Sequence, residues 1–283
     1  MSQLLELRQS HADLPLRAFA RMAVVPYWRL RDHLRAQTHR RQREKRDEHQ
    51  LAAVKAAALE HPTAGYRRLY RELRHDGQPI GLHAVRRALH QLGLAQPPIS
   101  KPRRPSVVVS LPESWPPGRR VQIDATRLSL PDGVGWVYLV LDVASRAVLT
   151  AKTVRSLSAL GAREALADGL RALRTAGINE AVLVQSDGGS DFTSAVFQAE
   201  CLRHGAWVRS KVSQKGGMGI LERCNRTFKY EFAFRHDFKT IGELREGSER
   251  FRNWYNLERR HSAIGYALPG HELVGSAQAR LAA

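Results

Sequence analysis

Residues 95–118 constrain the fold most, because they contain seven of the 13 prolines in this chain of 283 residues. Proline fixes its own backbone and lacks the N–H that helices and sheets require, so no regular element can form there. We expect an extended, semi-rigid linker over residues 96–118. The pattern of apolar residues differs on its two sides. The sequence therefore predicts a helical N-terminal part and a separate C-terminal domain.

The net charge of the chain is +18, and most of the excess lies before the second domain. Residues 1–120 contain 23 Lys and Arg against 10 Asp and Glu. A surplus of this size indicates a polyanionic partner such as nucleic acid, with phosphates contacted by the N-terminal part. A solvated basic surface, or a ribosome-like protein, is the alternative.

Cysteine content and hydropathy indicate the compartment. The two cysteines, Cys201 and Cys224, have no metal-ligand spacing and predict neither a disulfide framework nor a zinc site. No apolar run approaches the ~20 residues of a membrane span, and the N-terminus has no signal-peptide pattern. We expect a soluble, cytoplasmic protein with no membrane partner.

Residues 14–35 have apolar positions at helical spacing, interrupted near Val25 and Pro26. This pattern predicts a short helix, a tight turn and a second helix, the outline of a helix-turn-helix, although an ordinary helical hairpin gives the same pattern. Residues 36–60 are polar and then alanine-rich, and predict a further helix with a basic face. We assign residues 1–58 to this region. The arginines that would edge a groove-reading helix are Arg29, Arg31 and Arg35.

Residues 59–95 give a second and better helix-turn-helix prediction. Two stretches of helical spacing are separated by Gly77 and Pro79, and Gly93 ends the second stretch. Two such units in tandem could each occupy a groove of DNA. The basic residues beside the apolar stripe are Arg67, Arg68, Arg71, Arg86 and Arg87.

Residues 119–235 consist of short runs rich in β-branched and aromatic residues, alternating later with helical patterns. The first three runs predict an antiparallel meander. A helix over 159–175, a strand, a helix, a strand and a helix over 220–234 follow. The order βββαβαβα predicts an α/β fold with a mixed sheet covered by helices. Residues 236–283 are predicted to add a helical segment and a tail.

Three acids lie at positions that such a sheet could bring together. Asp124 falls inside the first strand, Asp187 ends the fourth strand, and Glu222 begins a helix 35 residues later. A buried charge is costly without a partner, a metal or water. Three converging carboxylates suit two Mg²⁺ ions about 3.5–4 Å apart acting on a phosphodiester. The alternative is three unrelated surface or capping acids.

Several segments resemble bacterial insertion-sequence transposases with a retroviral-integrase-type core. They are QIDATRLSL, SDGGSDFTS, the segment at Ser213 to Gly217, ERCNRTFKYE and YNLERRHSAIGYALP, and HPTAGYRRLYRELR is similar to the helix-turn-helix before that core. The resemblance implies an RNase H-like fold preceded by all-α helix-turn-helix modules. It also implies a DDE triad on Asp124, Asp187 and Glu222, holding two Mg²⁺ or Mn²⁺ ions.

The resemblance implies further roles. Asn225 and Lys229 share a helical face with Glu222, and Lys229 would meet the DNA backbone near the scissile phosphate. Asp191 departs from the family pattern, and we expect it to cap the next helix. Asp142 is expected to be a turn or salt-bridge residue. The remaining predicted DNA contacts are Lys215, Asn225, Arg259, Arg260 and His261.

The segment YNLERRHSAIGYALP leaves two interpretations open. Its basic residues could contact phosphates while Tyr255 and Tyr266 stack on bases. Equally, the two tyrosines could anchor the last helix to the sheet.

The predicted function is that of a DNA transposase. It would bind the terminal inverted repeats of its element and catalyse metal-dependent strand cleavage and strand transfer. Joining two ends of double-stranded DNA to a target requires at least a dimer on DNA. We expect it to associate with the bacterial nucleoid in the cytoplasm. The alternatives are a DNA-binding regulator or inactive relic, and a branched-DNA nuclease.

Overall fold

The computed structural model of the protein describes residues 7–8, 10–11, 13–96, 115–210 and 218–281. Packing along the chain divides it into two compact units, Met1–Ala95 and Gln96–Ala283. Most of the predicted proline-rich linker lies outside the described residues. Its extended conformation therefore stays a prediction, and so do the domain boundaries that depend on it.

In the N-terminal unit, a tight turn joins helix α1 (Leu16–Met22) to helix α2 (Tyr27–Glu60). Val24 has a left-handed backbone in this turn, with φ of 54°, and Pro26 is the N-cap of α2. The predicted turn is confirmed. The two helices predicted on either side of residue 35 are wrong, because α2 is one helix of 34 residues. No glycine or proline lies between its ends to interrupt it.

The last turns of α2 belong to an apolar core that they share with the next two helices. They pack against helix α3 (Tyr66–His75) and helix α4 (Leu82–Gln91), which form the predicted second helix-turn-helix. Gly77 turns the chain between them with φ of 72°. A division at residue 58 would therefore separate residues that pack together. The buried residues of this core include Val54, Ala57, Ala58, Leu69, Leu73, Val85 and Leu89.

The C-terminal unit is built on a five-stranded sheet in the order β3-β2-β1-β4-β5. Strands β1 to β3 form an antiparallel meander, while β4 is parallel to β1 and β5 is parallel to β4. The predicted meander and mixed α/β sheet are confirmed, and the arrangement is RNase H-like. The strands are β1 (Arg120–Leu130), β2 (Gly133–Asp142), β3 (Val148–Val154), β4 (Val182–Ser186) and β5 (Gly205–Arg209).

Helices cover both faces of this sheet. Side chains of β2 alternate between two apolar cores, with Tyr138 and Val140 in one and Leu139 and Leu141 in the other. Both faces of this strand are buried, which explains its nearly continuous apolar sequence. The helices are α5 (Ala159–Thr175), α6 (Ala195–His204), α7 (Gly219–Thr227), α8 (Ile241–Leu257) and α9 (Pro269–Leu281).

The helix predicted over residues 220–234 consists of three pieces. Helix α7 continues into a π turn at Phe228–Phe232 and a 3₁₀ turn at Ala233–Arg235. Phe228 and Phe232 pack edge-on against Phe251 of α8, with ring centroids 4.9 and 5.5 Å away. These rings fix the segment after Glu222 to the sheet-facing core.

Within the described residues, no helix is long and apolar enough to cross a membrane. Cys201 and Cys224 are both buried free thiols.

Candidate active site

Strand pairing brings Asp124 and Asp187 together. Strands β1 and β4 run parallel with Gln122 opposite Gln185. Each aspartate lies two residues beyond one of these glutamines, so the register places them side by side where β4 ends. Asp187 is exposed, and its Oδ1 accepts a hydrogen bond from the N–H of Gly189 at 2.9 Å.

Glu222 reaches the same place from helix α7. It lies exposed in the first turn of α7, and Asn225 follows on the same face. The Nδ2 of Asn225 donates a hydrogen bond to Oδ2 of Asp124 at 2.8 Å. This bond fixes the first turns of α7 over β1, and it therefore brings Glu222 towards Asp124.

The charges of Asp187 and Glu222 act on the carboxylate of Asp124. Burial, together with the charges of Asp187 and Glu222, raises the pKa of Asp124 to about 6. Hydrogen bonds from Ala125 and Asn225 act in the opposite direction. Asp124 is partly buried and has two further acids near it, so a positive charge at this place would stabilise its carboxylate.

The effect of the Asp187 and Glu222 charges on Asp124 is a separate matter from the binding of a metal ion by these side chains. Over the described ranges, no three His, Cys, Asp or Glu side chains are grouped closely enough to hold an ion. The chemistry of the donor set nevertheless fits a hard divalent cation, because all three groups offer carboxylate oxygens. The segment 211–217 before α7 lies outside the described residues, and so does the predicted DNA contact Lys215.

The prediction that Asp191 caps a helix is wrong. Ser194 is the N-cap of α6, and its side chain accepts a hydrogen bond from the N–H of Phe197. Asp191 is only 6% exposed, and its Oδ2 accepts a hydrogen bond from the Tyr138 hydroxyl at 2.9 Å. It therefore fastens the loop after Asp187 to the core of the sheet.

Asp142 is confirmed as a turn residue. It ends β2, and its carboxylate accepts hydrogen bonds from the N–H of Gly118 and from both the N–H and the hydroxyl of Ser145. Burial raises the pKa of Asp142, and these bonds lower it.

The basic residues of the N-terminal unit differ in accessibility. Arg29 and Arg35 are exposed on α2, whereas Arg31 contacts Asp32 at 2.7 Å. Arg68 is the less accessible one on α3, because its side chain is 12% exposed and lies 3.7 Å from Glu72, and its DNA contact stays a prediction. The arginines exposed on α3 and α4 are Arg67, Arg71, Arg86 and Arg87.

One aromatic ring links the two helices of the second helix-turn-helix. The guanidinium groups of Arg67 and Arg86 lie 5.5 and 5.7 Å from the centroid of the Tyr66 ring. The ring thus holds cations from both α3 and α4 near each other.

The C-terminal motif acts mainly as an anchor. Arg259 donates two hydrogen bonds of 2.8 Å to Glu231, which engage its guanidinium group within the protein, and its DNA contact stays a prediction. Tyr255 is 2% exposed inside the core and cannot stack on a base. Arg260 donates to the carbonyl of Tyr266, and His261 pairs with Ala267 through the backbone. DNA contacts by Arg260 and His261 stay predictions.

Sequence reasoning missed two residues beside the acids. Gln122 and Gln185 are 0% and 3% exposed and bond to each other beneath the carboxylates. The signal was present, since a glutamine stands two residues before Asp124 and another stands two residues before Asp187.

Two families match parts of the chain. Residues 45–103 match the model of the HTH-like domain, and residues 207–269 match the model of the integrase core domain. The second match includes Glu222, and both aspartates lie before it. No curated protein matches the chain.

Solved structures from retroviral integration are similar at low sequence identity. A chain of the simian T-cell lymphotropic virus intasome, in complex with PP2A regulatory subunit B56 gamma, is 15% identical over 78% of this chain and 74% of its own, with a TM-score of 0.49. The BIV integrase catalytic core is 18% identical over 58% and 98%, with a TM-score of 0.44. The HTLV-2 integrase catalytic core in complex with magnesium is 17% identical over 56% and 97%, with a TM-score of 0.42.

Proposed function

We propose that this chain, in which an HTH-like domain precedes an integrase core domain, is a DNA transposase. It would bind the inverted ends of a mobile element, cleave them and transfer the freed strand to a target. The observation that carries the proposal is the convergence of β1, β4 and α7, because the register of β1 with β4 brings Asp187 beside Asp124 and the hydrogen bond from Asn225 to Asp124 brings the first turn of α7, with Glu222, to the same place.

The three carboxylates would hold two Mg²⁺ or Mn²⁺ ions. Ions bound there would activate a water or a 3′-hydroxyl and stabilise the leaving oxygen of a phosphodiester. The residues suit this role because the carboxylate of Asp124 is partly buried with the charges of Asp187 and Glu222 near it, and a cation would offset the cost of its negative charge. Above pH about 6, Asp124 is ionised without a cation.

Neighbouring residues would orient the acids and the DNA. Asn225 donates a hydrogen bond to Oδ2 of Asp124, and the N–H of Ala125 donates one to Oδ1. The two bonds hold the carboxylate in one orientation. Lys229, half-buried in the π turn after α7, would contact a phosphate near the cleaved bond. No covalent protein intermediate is needed, so no serine or tyrosine nucleophile is proposed.

The N-terminal unit would hold the element end. Exposed arginines on α3 and α4 would neutralise phosphates, and those on α2 would extend the contact along the DNA. Strand transfer joins two ends, so at least two active sites must be held together, and we infer a dimer or larger assembly on DNA.

The variant Asp187→Asn tests the proposal. Asparagine keeps the volume and the oxygen that accepts from Gly189, and it removes the charge. We expect Mg²⁺-dependent cleavage and joining of element-end DNA to disappear while end binding changes less than about twofold. Asp237→Asn, which removes an exposed acid away from the site, should leave both unchanged.

Each other outcome has a distinct meaning. Cleavage retained in Asp187→Asn refutes the assignment of the triad. End binding without cleavage by the wild-type protein indicates a DNA-binding regulator or relic. Cleavage of branched DNA without joining indicates a nuclease.

A further inference from the structure

A row of buried polar side chains lies beneath the three carboxylates. Gln122 on β1 and Gln185 on β4 stand opposite each other, and Nε2 of Gln122 donates to Oε1 of Gln185 at 3.2 Å. The same oxygen accepts a hydrogen bond of 3.0 Å from Nε of Arg120, which is 6% exposed. Buried polar groups of this kind are costly unless they are paired, so the row has a defined geometry.

The row extends to both segments that flank the region 211–217. Nε2 of Gln185 donates to the hydroxyl of Ser210, directly after β5. Oε1 of Gln122 accepts a hydrogen bond of 3.0 Å from the N–H of Leu221, which is 0% exposed in the first turn of α7. The row therefore joins β1, β4, the residue after β5 and α7.

The bond to Leu221 replaces a missing helix cap. The first N–H groups of any helix have no partner within the helix. The N-cap of α7 is Met218, which makes no side-chain cap hydrogen bond. Gln122 supplies the acceptor from another element, so the start of α7 is fixed to β1.

Sequence spacing connects this row to the proposed chemistry. Side chains two residues apart on a strand share a face, so Gln122 and Gln185 stand directly behind Asp124 and Asp187. Leu221 immediately precedes Glu222. One glutamine thus contacts the elements that carry all three acids.

We propose that Gln122 is a positioning residue, which sets the distance of Glu222 from Asp124 and Asp187 by binding the N–H of Leu221. This inference rests on the proposed function of the three acids. Without the bond, α7 would keep its apolar contacts through Leu221 and Cys224, but its first turn could shift along the sheet. Glu222 lies in that turn.

The variant Gln122→Met tests the proposal in the full-length protein, because methionine fills the same volume without an acceptor. The Mg²⁺ concentration for half-maximal cleavage should rise about 10- to 100-fold, the usual effect of losing a group that orients a metal ligand. Binding of element-end DNA should change less than about twofold, and the rise in melting temperature caused by Mn²⁺ should shrink.

Thr153→Val is the matched control. It removes a buried hydrogen bond of 2.9 Å between Thr153 and Ser248, at the far edge of the sheet. We expect a lower melting temperature with an unchanged Mg²⁺ requirement and an unchanged Mn²⁺-induced shift. If Gln122→Met fails to fold, Gln122→Asn places the amide one methylene short of Leu221 and should raise the Mg²⁺ requirement in the same direction.

The outcomes separate this inference from the proposed function. If Gln122→Met keeps the wild-type Mg²⁺ requirement and Mn²⁺-induced shift, like Thr153→Val, the positioning role is overturned and the transposase proposal stands. If the wild-type protein does not cleave DNA, the proposed function fails, and the Mn²⁺-induced shifts still decide the role of Gln122. Equal shifts in wild type and Gln122→Met overturn it.

Discussion

The ion pair between Glu231 and Arg259 should stabilise the fold and not contact DNA. Arg259 binds Glu231 through two hydrogen bonds, and its guanidinium lies 5.4 Å from the centroid of the buried Tyr255 ring. The two side chains are only 15% and 12% exposed. Replacing one partner with methionine, in Arg259→Met or Glu231→Met, removes both hydrogen bonds and leaves the other buried charge without this counter-charge.

Breaking a buried pair from one side costs about 3–5 kcal/mol. The side chains of Arg259 and Glu231 are still 12% and 15% exposed. We therefore expect each single variant to lose ~3 kcal/mol of the free energy of unfolding, the lower end of that range. That is a large part of the free energy of about 5–15 kcal/mol by which domains are usually stable. Replacing both partners removes the unpaired charge, so the double variant should lie within ~1 kcal/mol of wild type.

Urea denaturation followed by tryptophan fluorescence measures these free energies of unfolding, and the double-mutant cycle gives the coupling. Arg252→Met is the control, since Arg252 pairs with Glu249 on the surface of α8 and should cost less than ~0.5 kcal/mol. Fluorescence anisotropy of labelled end DNA is measured on the same samples. A coupling below ~1 kcal/mol, together with weaker DNA binding by Arg259→Met, would refute this reasoning.

Other properties can be checked in the same way. Burial raises the pKa of Cys201 and Cys224 to about 12, so a disulfide reagent at pH 8 should label neither thiol until urea unfolds the protein, and labelling of the native protein would contradict this. Since these folded pKa values lie above the unfolded ones, stability should fall as the pH rises from about 9 towards 12, and a flat pH profile of the urea midpoint would contradict it. In Gly169→Ala, the new Cβ would lie 2.9 Å from Cγ1 of Val140, so the free energy of unfolding should drop by about 1–3 kcal/mol, and an unchanged urea midpoint would show that the helix moves freely. Replacing an exposed arginine of the second helix-turn-helix by alanine should reduce the slope of log affinity against log salt by about 0.9 for each phosphate that is no longer neutralised, whereas Arg68→Ala should not change it. The exposed arginines are Arg67, Arg71, Arg86 and Arg87.

Local patterns in the sequence predict most of the elements. The meander, the helix over Ala159–Thr175 and the order of strands and helices along the chain follow from apolar periodicity and turn residues, because each signal lies within a few positions. The continuity of α2 could also have been predicted, since no breaking residue separates its two halves. Its change from a basic to an alanine-rich composition does not mark a boundary between helices.

Partners that are distant along the chain could not be predicted from the sequence. Asp191 stands beside a helix start, where caps are common, but its partner Tyr138 lies 53 residues earlier. Arg259 sits in a basic motif, and its partner Glu231 lies 28 residues earlier across the core. Polar side chains find their partners once the fold is formed, so their spacing in the sequence does not reveal whether they face solvent or each other.

Anomalous diffraction from crystals of the full-length protein grown with Mn²⁺ tests the central claim most directly. Asp124, Asp187 and Glu222 should surround the Mn²⁺ peaks, with at least one carboxylate oxygen of each side chain about 2.0–2.3 Å from an ion. Peaks only at other places, or an occupied site that lacks one of the three acids, would contradict the account.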